Sequence, residues 1–230
     1  MGTLVAGLDG CRNGWVLVTT AADGFGDTSV EVIAHLDEVI ERLDSAHIVA
    51  AGIDISIGLP ARSPRPCDPE ARRMIRPRHN SVFPAPIRAV LNASSYEEAC
   101  GISRTLDGKG MSKQAFAILP KIKEVDGLLS PQRQQQLFEV HPEVCFTVLA
   151  GHPMSAHKAT ESGRAERLRA LSGDFPDIEE YAARSLPGTH PDDVLDAFAA
   201  AWSARRWVSK THLQLGGDLD EMGLRMEMIA

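Results

Sequence analysis

Residues 47–55, His-Ile-Val-Ala-Ala-Gly-Ile-Asp-Ile, are an almost continuous apolar run that is interrupted by Asp54. Such a run is typical of a strand that is buried on both faces of a sheet. Three apolar or β-branched runs precede it, and glycines in the connections favour antiparallel hairpins; these runs cover residues 3–8, 15–20 and 29–34. The sequence therefore predicts three antiparallel strands, followed later by a fourth strand.

A single amphipathic helix is predicted between the third and fourth strands. Its apolar residues recur at helical spacing; they are Leu36, Val39, Ile40 and Leu43. Because a strand–helix–strand crossover is right-handed, we expect the fourth strand to pair in parallel with the first. Asp9 and Asp54 then lie at the carboxyl ends of adjacent parallel strands, where open α/β sheets bind their ligands.

Residues 61–135 have helical patterns and frequent prolines, which predict a helical insertion after the fourth strand. Between Arg62 and Arg88 this insertion holds seven arginines against Asp68 and Glu70, a local charge of +5. A fifth strand is predicted over residues 136–140. Later helices are predicted over residues 142–150, 161–171, 177–185 and 191–208. We predict one domain over residues 1–230, with residues 61–135 as an inserted lobe.

The composition is that of a globular protein, with 43% hydrophobic and 24% charged residues. No run approaches the roughly 18 apolar residues of a membrane helix, and no basic region precedes an apolar one at the N-terminus. We therefore expect a cytoplasmic protein without a membrane partner. A net charge of −7 argues mildly against non-specific nucleic-acid binding, although the insertion carries a basic surface. The four cysteines are too far apart for the usual zinc sites and indicate free thiols.

Four aspartates are candidate metal ligands and catalytic residues: Asp9, Asp54, Asp193 and Asp196. A carboxylate in an apolar strand is costly to bury without a partner, which applies to Asp9 and Asp54. Asp193 and Asp196 are three residues apart and share a helix face. The alternative for such acids is that they complement the helix dipole, and we interpret Asp192 as a helix cap. Oxygen ligands without thiolates select hard cations, chiefly Mg²⁺ or Mn²⁺, which support phosphodiester cleavage.

Further candidates lie in the insertion and near the fifth strand. Arg72, Arg76 and Arg78, with Arg65 nearby, are candidate phosphate ligands, although a solvated basic helix face explains them equally well. Lys109 and Ser112 are candidates for binding an anionic substrate, and Lys158 is a weaker one. Glu139 and His141 are candidate catalytic residues at the sheet edge, and His141 is alternatively a structural histidine before Pro142.

Several motifs spread over the chain resemble those of known families. They are Gly7-Leu8-Asp9-Gly10-Cys11-Arg12-Asn13-Gly14-Trp15, Asp54-Ile55-Ser56-Ile57-Gly58-Leu59-Pro60, Arg65-Pro66-Cys67-Asp68, Ser81-Val82-Phe83, Gly108-Lys109-Gly110-Met111-Ser112, Glu139-Val140-His141-Pro142-Glu143 and Asp192-Asp193-Val194-Leu195-Asp196-Ala197. Together they resemble DUF429, a prokaryotic family described as predicted ribonuclease H-like nucleases. The late helix is also similar to the terminal helix of Holliday-junction resolvases of that superfamily. The resemblance implies a ribonuclease H-like mixed five-stranded sheet flanked by helices.

We therefore expect a divalent-metal-dependent nuclease that acts on nucleic acid. Two alternatives stay open. One is an actin-like or sugar-kinase-like phosphotransferase, because Asp9-Gly10 would begin a turn similar to a phosphate loop. The other is a non-catalytic binding module that retains the fold. The substrate structure is not determined by the sequence, and a homodimer also stays open.

Overall fold

A five-stranded mixed sheet forms the centre of the computed structural model, which describes residues 2–24 and 26–230. Its strands are β1 (Leu4–Cys11), β2 (Gly14–Ala21), β3 (Ser29–Ile33), β4 (Ala50–Ile53) and β5 (Leu137–Glu139). The spatial order is β3-β2-β1-β4-β5. β2 is antiparallel to β1 and to β3, whereas β4 is parallel to β1 and to β5. The predicted meander and the parallel pairing of the first and fourth strands are confirmed.

Helices cover both faces of this sheet. They are α1 (Asp37–Asp44), α2 (Cys67–Met74), α3 (Tyr96–Asp107), α4 (Lys113–Ala117), α5 (Leu119–Leu128), α6 (Pro142–Ala150), α7 (Glu161–Leu171), α8 (Ile178–Ala183) and α9 (Pro191–Ser209). Side chains alternate between the faces along β1. Val5 belongs to the core that contains α9, and Leu8 to the core that contains α1. None of the helices described is long and apolar enough to cross a lipid bilayer.

The inserted segment contributes to both cores of the sheet. Cys67 and Ala71 of α2 pack in the core with α6 and α9. Ala99 of α3 and Ile122 of α5 pack in the opposite core with α1. The segment is helical, as its pattern predicted, and it packs in both cores of the sheet.

Two strand boundaries differ from the predicted ones. β1 continues through Asp9 to Cys11, because Asp9 pairs with Val16 and Gly10 with Trp15 across the first hairpin. Asp9 therefore lies inside the strand. Asp9-Gly10 does not begin a turn, which removes the basis of the phosphate-loop interpretation. β4 is shorter than its apolar run and ends at Ile53, so Asp54 directly follows it.

A C-terminal hairpin was not predicted from the sequence. It consists of β6 (Gln214–Leu219) and β7 (Arg225–Ile229), with a register shift between Gly216 and Asp218. The exposed, glycine-containing β6 lacks the clear apolar alternation of a half-buried strand. The hairpin packs beside α2 and β5, and Ile229 forms a bridge with Val140.

Candidate functional site

The two central parallel strands carry the same short motif, Gly7-Leu8-Asp9 in β1 and Gly52-Ile53-Asp54 at the end of β4. Because side chains alternate along a strand, each aspartate shares a face with the glycine two positions before it. Gly7 lies opposite Gly52 in the parallel pair, and the Asp54 N–H donates to the Leu8 carbonyl at 3.0 Å. This register brings Asp9 and Asp54 to the same level of the sheet.

The two glycines let α9 lie directly on the strand backbones. A Cβ on Gly7 would overlap backbone atoms of Ala197 and Ala201. A Cβ on Gly52 would lie 2.8 Å from the Ala200 carbonyl oxygen. Such close approach requires residues without a side chain. Asp196 lies one helical turn before Ala200, so the helix holds its carboxylate beside those of Asp9 and Asp54.

The acids in the first turn of α9 have roles that differ from the predicted ones. Asp193, predicted to bind metal, accepts the backbone N–H of His190 at 2.7 Å in a capping box. Asp192, interpreted as the cap, instead pairs with Lys158. Asp196 is thus the acid of α9 that lies beside Asp9 and Asp54. Capping of the helix N-terminus explains why an aspartate is present at position 193.

Lys158 provides the positive charge nearest to these carboxylates. Its Nζ lies 2.7 Å from Asp196 Oδ2 and 2.9 Å from Asp192 Oδ2. Burial disfavours its charge, but the two carboxylates more than compensate and raise the pKa of Lys158 above its ordinary value. The weakest of the sequence candidates therefore lies at the centre of the acid cluster.

One lysine does not compensate the charges of the three carboxylates, of which Asp9 and Asp196 are buried and Asp54 is half-buried. Burial, followed by the charges of Asp196 and Asp54, raises the pKa of Asp9 well above its ordinary value. Burial also raises the pKa of Asp54, against the opposing effects of His141 and Lys158. It raises the pKa of Asp196 to about 6, although Lys158 acts in the opposite direction. The open acid cluster (Asp9, Asp54 and Asp196) therefore tends to retain protons or to attract a further cation.

The open acid cluster lines a cavity of about 570 Å³. Among the residues that the structure describes, four buried polar atoms of cavity-lining residues have no hydrogen-bond partner: Asp196 Oδ1, Glu143 Oε2, His141 Nδ1 and Arg78 Nε. Unpaired buried polar atoms are rare in native proteins and require an explanation. The other oxygen of Glu143 pairs with Arg167, and His141 Nε2 lies 3.3 Å from the Ser81 carbonyl oxygen. His141 and Lys158 are thus brought together with the aspartates.

Glu143 was missed as a site residue. It occupies the first turn of α6, shortly after β5, where an acid is expected merely to complement the helix dipole. The one available signal was its position beyond the carboxyl end of a parallel strand, the same signal that identified Asp54.

Glu139 and Arg65 line part of the cavity, but they bind each other. Arg65 donates to both carboxylate oxygens of Glu139, at 2.6 and 2.8 Å, and to Asp68 Oδ1 at 2.9 Å. Glu139 also accepts the Ile57 N–H at 2.6 Å. Arg65 is 1% exposed, so its guanidinium is not available to a substrate. We assign this closed ion cluster (Arg65, Asp68 and Glu139) a structural role in place of the predicted substrate-binding and catalytic ones.

The remaining basic candidates are divided between the cavity and the outer surface. Arg78 lines the cavity and donates to the Ser155 carbonyl at 2.7 Å. Arg72 holds the Val82 carbonyl at 3.0 Å, and Arg76 is exposed. The other two predicted anion-binding residues do not line the cavity; they are Lys109, which is exposed, and Ser112, which caps α4.

The ligand atoms that the open acid cluster offers are carboxylate oxygens, the type that a hard divalent cation prefers. One of them, Asp196 Oδ1, is unpaired. Across residues 2–24 and 26–230, no three Asp, Glu, His or Cys side chains surround a common point as a ready set of metal ligands. Lys158 instead binds Asp196. A cation would therefore have to draw the carboxylates together and share them with this lysine.

The family match covers nearly the whole chain. A family model described as "Protein of unknown function (DUF429)" matches residues 7–221, which include all of the cavity residues named above. No curated protein and no solved structure matches the chain. The chemistry of the cavity therefore carries the functional argument.

Proposed function

We propose that this chain, which belongs to the DUF429 family of proteins of unknown function, is a divalent-metal-dependent nuclease that hydrolyses nucleic-acid phosphodiester bonds. One observation carries the proposal. Asp9, Asp54 and Asp196 come from three separate elements to one cavity, and a buried oxygen of Asp196 remains unpaired there. Desolvated carboxylates with so few partners are typical of functional sites rather than of stable cores.

The topology supports a ribonuclease H-like fold as the finer description of the sheet. An antiparallel meander is followed by two parallel strands, in the order β3-β2-β1-β4-β5. Asp9 in β1, Asp54 directly after β4 and Asp196 in α9 lie on one face of that sheet. This arrangement agrees with the resemblance of the sequence motifs to that superfamily.

Mg²⁺ or Mn²⁺ is the cofactor that the donor set suits, and Asp9, Asp54 and Asp196 are the residues that would hold it. Such an ion lowers the pKa of water and stabilises charge on a leaving oxygen. The unpaired Asp196 Oδ1 is the donor that the present contacts leave unused. Lys158, bound to the other oxygen of Asp196, is placed to neutralise the cluster and to contact an incoming phosphate.

His141 is the residue best placed to hold and transfer a proton. When its Nε2 donates to the Ser81 carbonyl, its buried Nδ1 has a lone pair and no partner. When the ring is protonated, its positive charge is near enough to Asp54 to lower the pKa of that carboxyl. We assign His141 the role of general acid or base, and Arg78, on the cavity wall, that of a phosphate ligand.

A cleavage screen tests the proposal. Purified protein is incubated with Mg²⁺ or Mn²⁺ and with labelled single-stranded, duplex, hybrid and branched nucleic acids. We expect cleavage of at least one of these substrates, and we expect Asp9→Asn to abolish it, because the amide removes a ligand charge without changing the side-chain shape. Calorimetry should show weaker Mn²⁺ binding by the same variant.

Asp37→Asn is the matched control, because Asp37 is an exposed acid at the start of α1, which packs in the opposite core. This variant should cleave at the wild-type rate. Cleavage by Asp9→Asn at the wild-type rate, in a preparation purified in the same way, would contradict the proposal. So would the absence of cleavage of every substrate with either metal.

A further inference from the structure

Phe83 is an exposed aromatic residue on the wall of the cavity. Its side chain is 52% exposed, and it lines the same cavity as Asp9, Asp54 and Asp196. Pro84 and Pro86 line the cavity beside it. An apolar wall that adjoins a charged cluster marks a site for a ligand that has both an apolar and a charged part.

The backbone on either side of Phe83 is fixed. Val82 is buried in the core with α9, and Ala85 in the opposite core. The Val82 carbonyl accepts the Arg72 Nε–H at 3.0 Å, and the Ala85 N–H donates to Asp68 at 3.3 Å. The aromatic ring therefore cannot turn into either core without breaking these contacts. Phe83 is a preorganised surface, and preorganisation lowers the entropic cost of binding.

Positive charge adjoins this aromatic surface. Arg78 lines the cavity, and its Nε is buried without a hydrogen-bond partner. Lys121 also lines the cavity, where its ammonium donates to the Gly14 carbonyl. A guanidinium with an unused donor suits a phosphate oxygen, whereas the flat face of Phe83 suits a nucleobase. The wall therefore offers contacts to both parts of a nucleotide.

The low exposure of two of the acids favours a substrate that is not base-paired. Asp9 is 7% exposed and Asp196 is 2% exposed. A duplex keeps its bases stacked inside a rigid cylinder, so its backbone cannot enter a cavity of about 570 Å³ together with an exposed base. A single strand can present one unstacked base to an aromatic side chain.

We propose that the cavity accepts one unstacked nucleotide of a single-stranded nucleic acid, with its base on Phe83 and its phosphate between Arg78 and the open acid cluster. The inference rests on the proposed function, since it names the substrate class of the same site. It assigns Phe83 a role in substrate binding that is separate from the chemistry at the carboxylates.

Binding without divalent metal tests this inference independently of cleavage. Fluorescence anisotropy is measured in EDTA at low salt, with a labelled strand of about a dozen nucleotides, the typical site size of single-strand-binding modules. The same sequence is measured as a blunt duplex and as an abasic strand. We expect the wild type to bind the single strand at least about tenfold more tightly than the duplex.

The variants separate stacking from general apolar contact. Phe83→Leu should weaken binding of the single strand at least about fivefold, the lower range for one base–aromatic stack, whereas Phe83→Trp should retain it. Leu106→Ala is the control, since Leu106 is exposed on α3 outside the cavity and should not change binding. The abasic strand should bind weakly and equally to the wild type and to Phe83→Leu.

Each contrary outcome is specific. Equal affinity for the duplex and the single strand would overturn the inference, and so would wild-type binding of the single strand by Phe83→Leu. An absence of binding to any of the strands would overturn it as well. Single-strand binding that depends on Phe83, without cleavage under any metal condition, would support the inference while overturning the nuclease proposal.

Discussion

Two groups of carboxylates lie at the same edge of the sheet and differ in how completely they are paired. In the closed ion cluster, Arg65 binds both oxygens of Glu139 and one of Asp68. In the open acid cluster, Lys158 binds one oxygen of Asp196, and the other is unpaired. Arg65 is fully buried, whereas the Lys158 side chain is 39% exposed.

This difference shows which property identifies a functional site. Burial raises the pKa of Glu139 just as it raises the pKa of Asp9. A raised pKa alone therefore does not separate the two clusters. What separates them is the hydrogen-bond inventory, because a structural ion pair satisfies its atoms and a binding site leaves atoms for its ligand.

Arg65→Met should have the largest effect on stability. The change leaves Glu139 and Asp68 buried without their cation, and removing one partner of a buried pair costs about 3–5 kcal/mol. Lys158→Met should cost less than about 1 kcal/mol, because the lysine is partly exposed and Asp196 can take up a proton. Urea denaturation of both variants measures the free energies of unfolding. Equal losses of unfolding free energy in the two variants would contradict the distinction between a closed and an open cluster.

Gly7→Ala should have an intermediate effect on stability. Of the two carboxylate clusters, it should alter the open acid cluster and leave the closed ion cluster unchanged. The added Cβ overlaps the backbone of α9, and overpacking of this kind costs about 1–3 kcal/mol. Moving α9 away from β1 should also weaken Mn²⁺ binding, measured by calorimetry, because Asp196 moves with the helix. Gly101→Ala in α3 is the control, since nothing lies within 4 Å of its Cβ position. Gly101→Ala should raise the stability slightly. Unchanged Mn²⁺ binding by Gly7→Ala would contradict the predicted role of the contact between Gly7 and α9.

The pH dependence of stability should show the smallest effect. A carboxyl whose pKa is raised by folding stabilises the protein below its ordinary pKa, and this contribution is lost as the pH rises through the higher value. Asp9 and Asp196 are of this type, with the pKa of Asp196 at about 6. In EDTA, the wild type should therefore lose stability relative to Asp9→Asn as the pH rises from the ordinary aspartate pKa of 3.8 through the raised pKa of Asp9. Thermal unfolding at each pH measures the difference, and parallel curves would refute it.

The sheet and part of the site could be predicted from local patterns. The apolar runs and the crossover rule placed β4 beside β1, and therefore Asp54 near Asp9. Asp196 followed from its position one turn inside an apolar helix. Asp193 was predicted to bind metal, whereas in the structure its carboxylate accepts the His190 N–H; helix capping and metal binding use the same residue type at the same position. The C-terminal hairpin was missed because glycines interrupt its pattern.

The partners of the charged residues could not be predicted in the same way. Arg65 and Glu139 are 74 residues apart, and Lys158 and Asp196 are 38 apart. Nothing in the local pattern distinguishes an arginine that pairs inside the protein from one that faces a cavity, such as Arg78. Glu143 and Phe83 gave equally little indication, since an acid after a strand and an aromatic residue among prolines are common in loops and helix ends.

By itself, the sequence determined the antiparallel meander of β1 to β3, the parallel pairing of β4 with β1 and the helical character of residues 61–135. It also placed Asp9 and Asp54 close together on adjacent parallel strands. These features depend on the alternation and periodicity of nearby residues, which the order of the amino acids contains directly. The tertiary structure decided which carboxylates are paired and which remain open. That outcome depends on distances between side chains from distant segments, because the energy of a buried charge is determined by the few atoms around it.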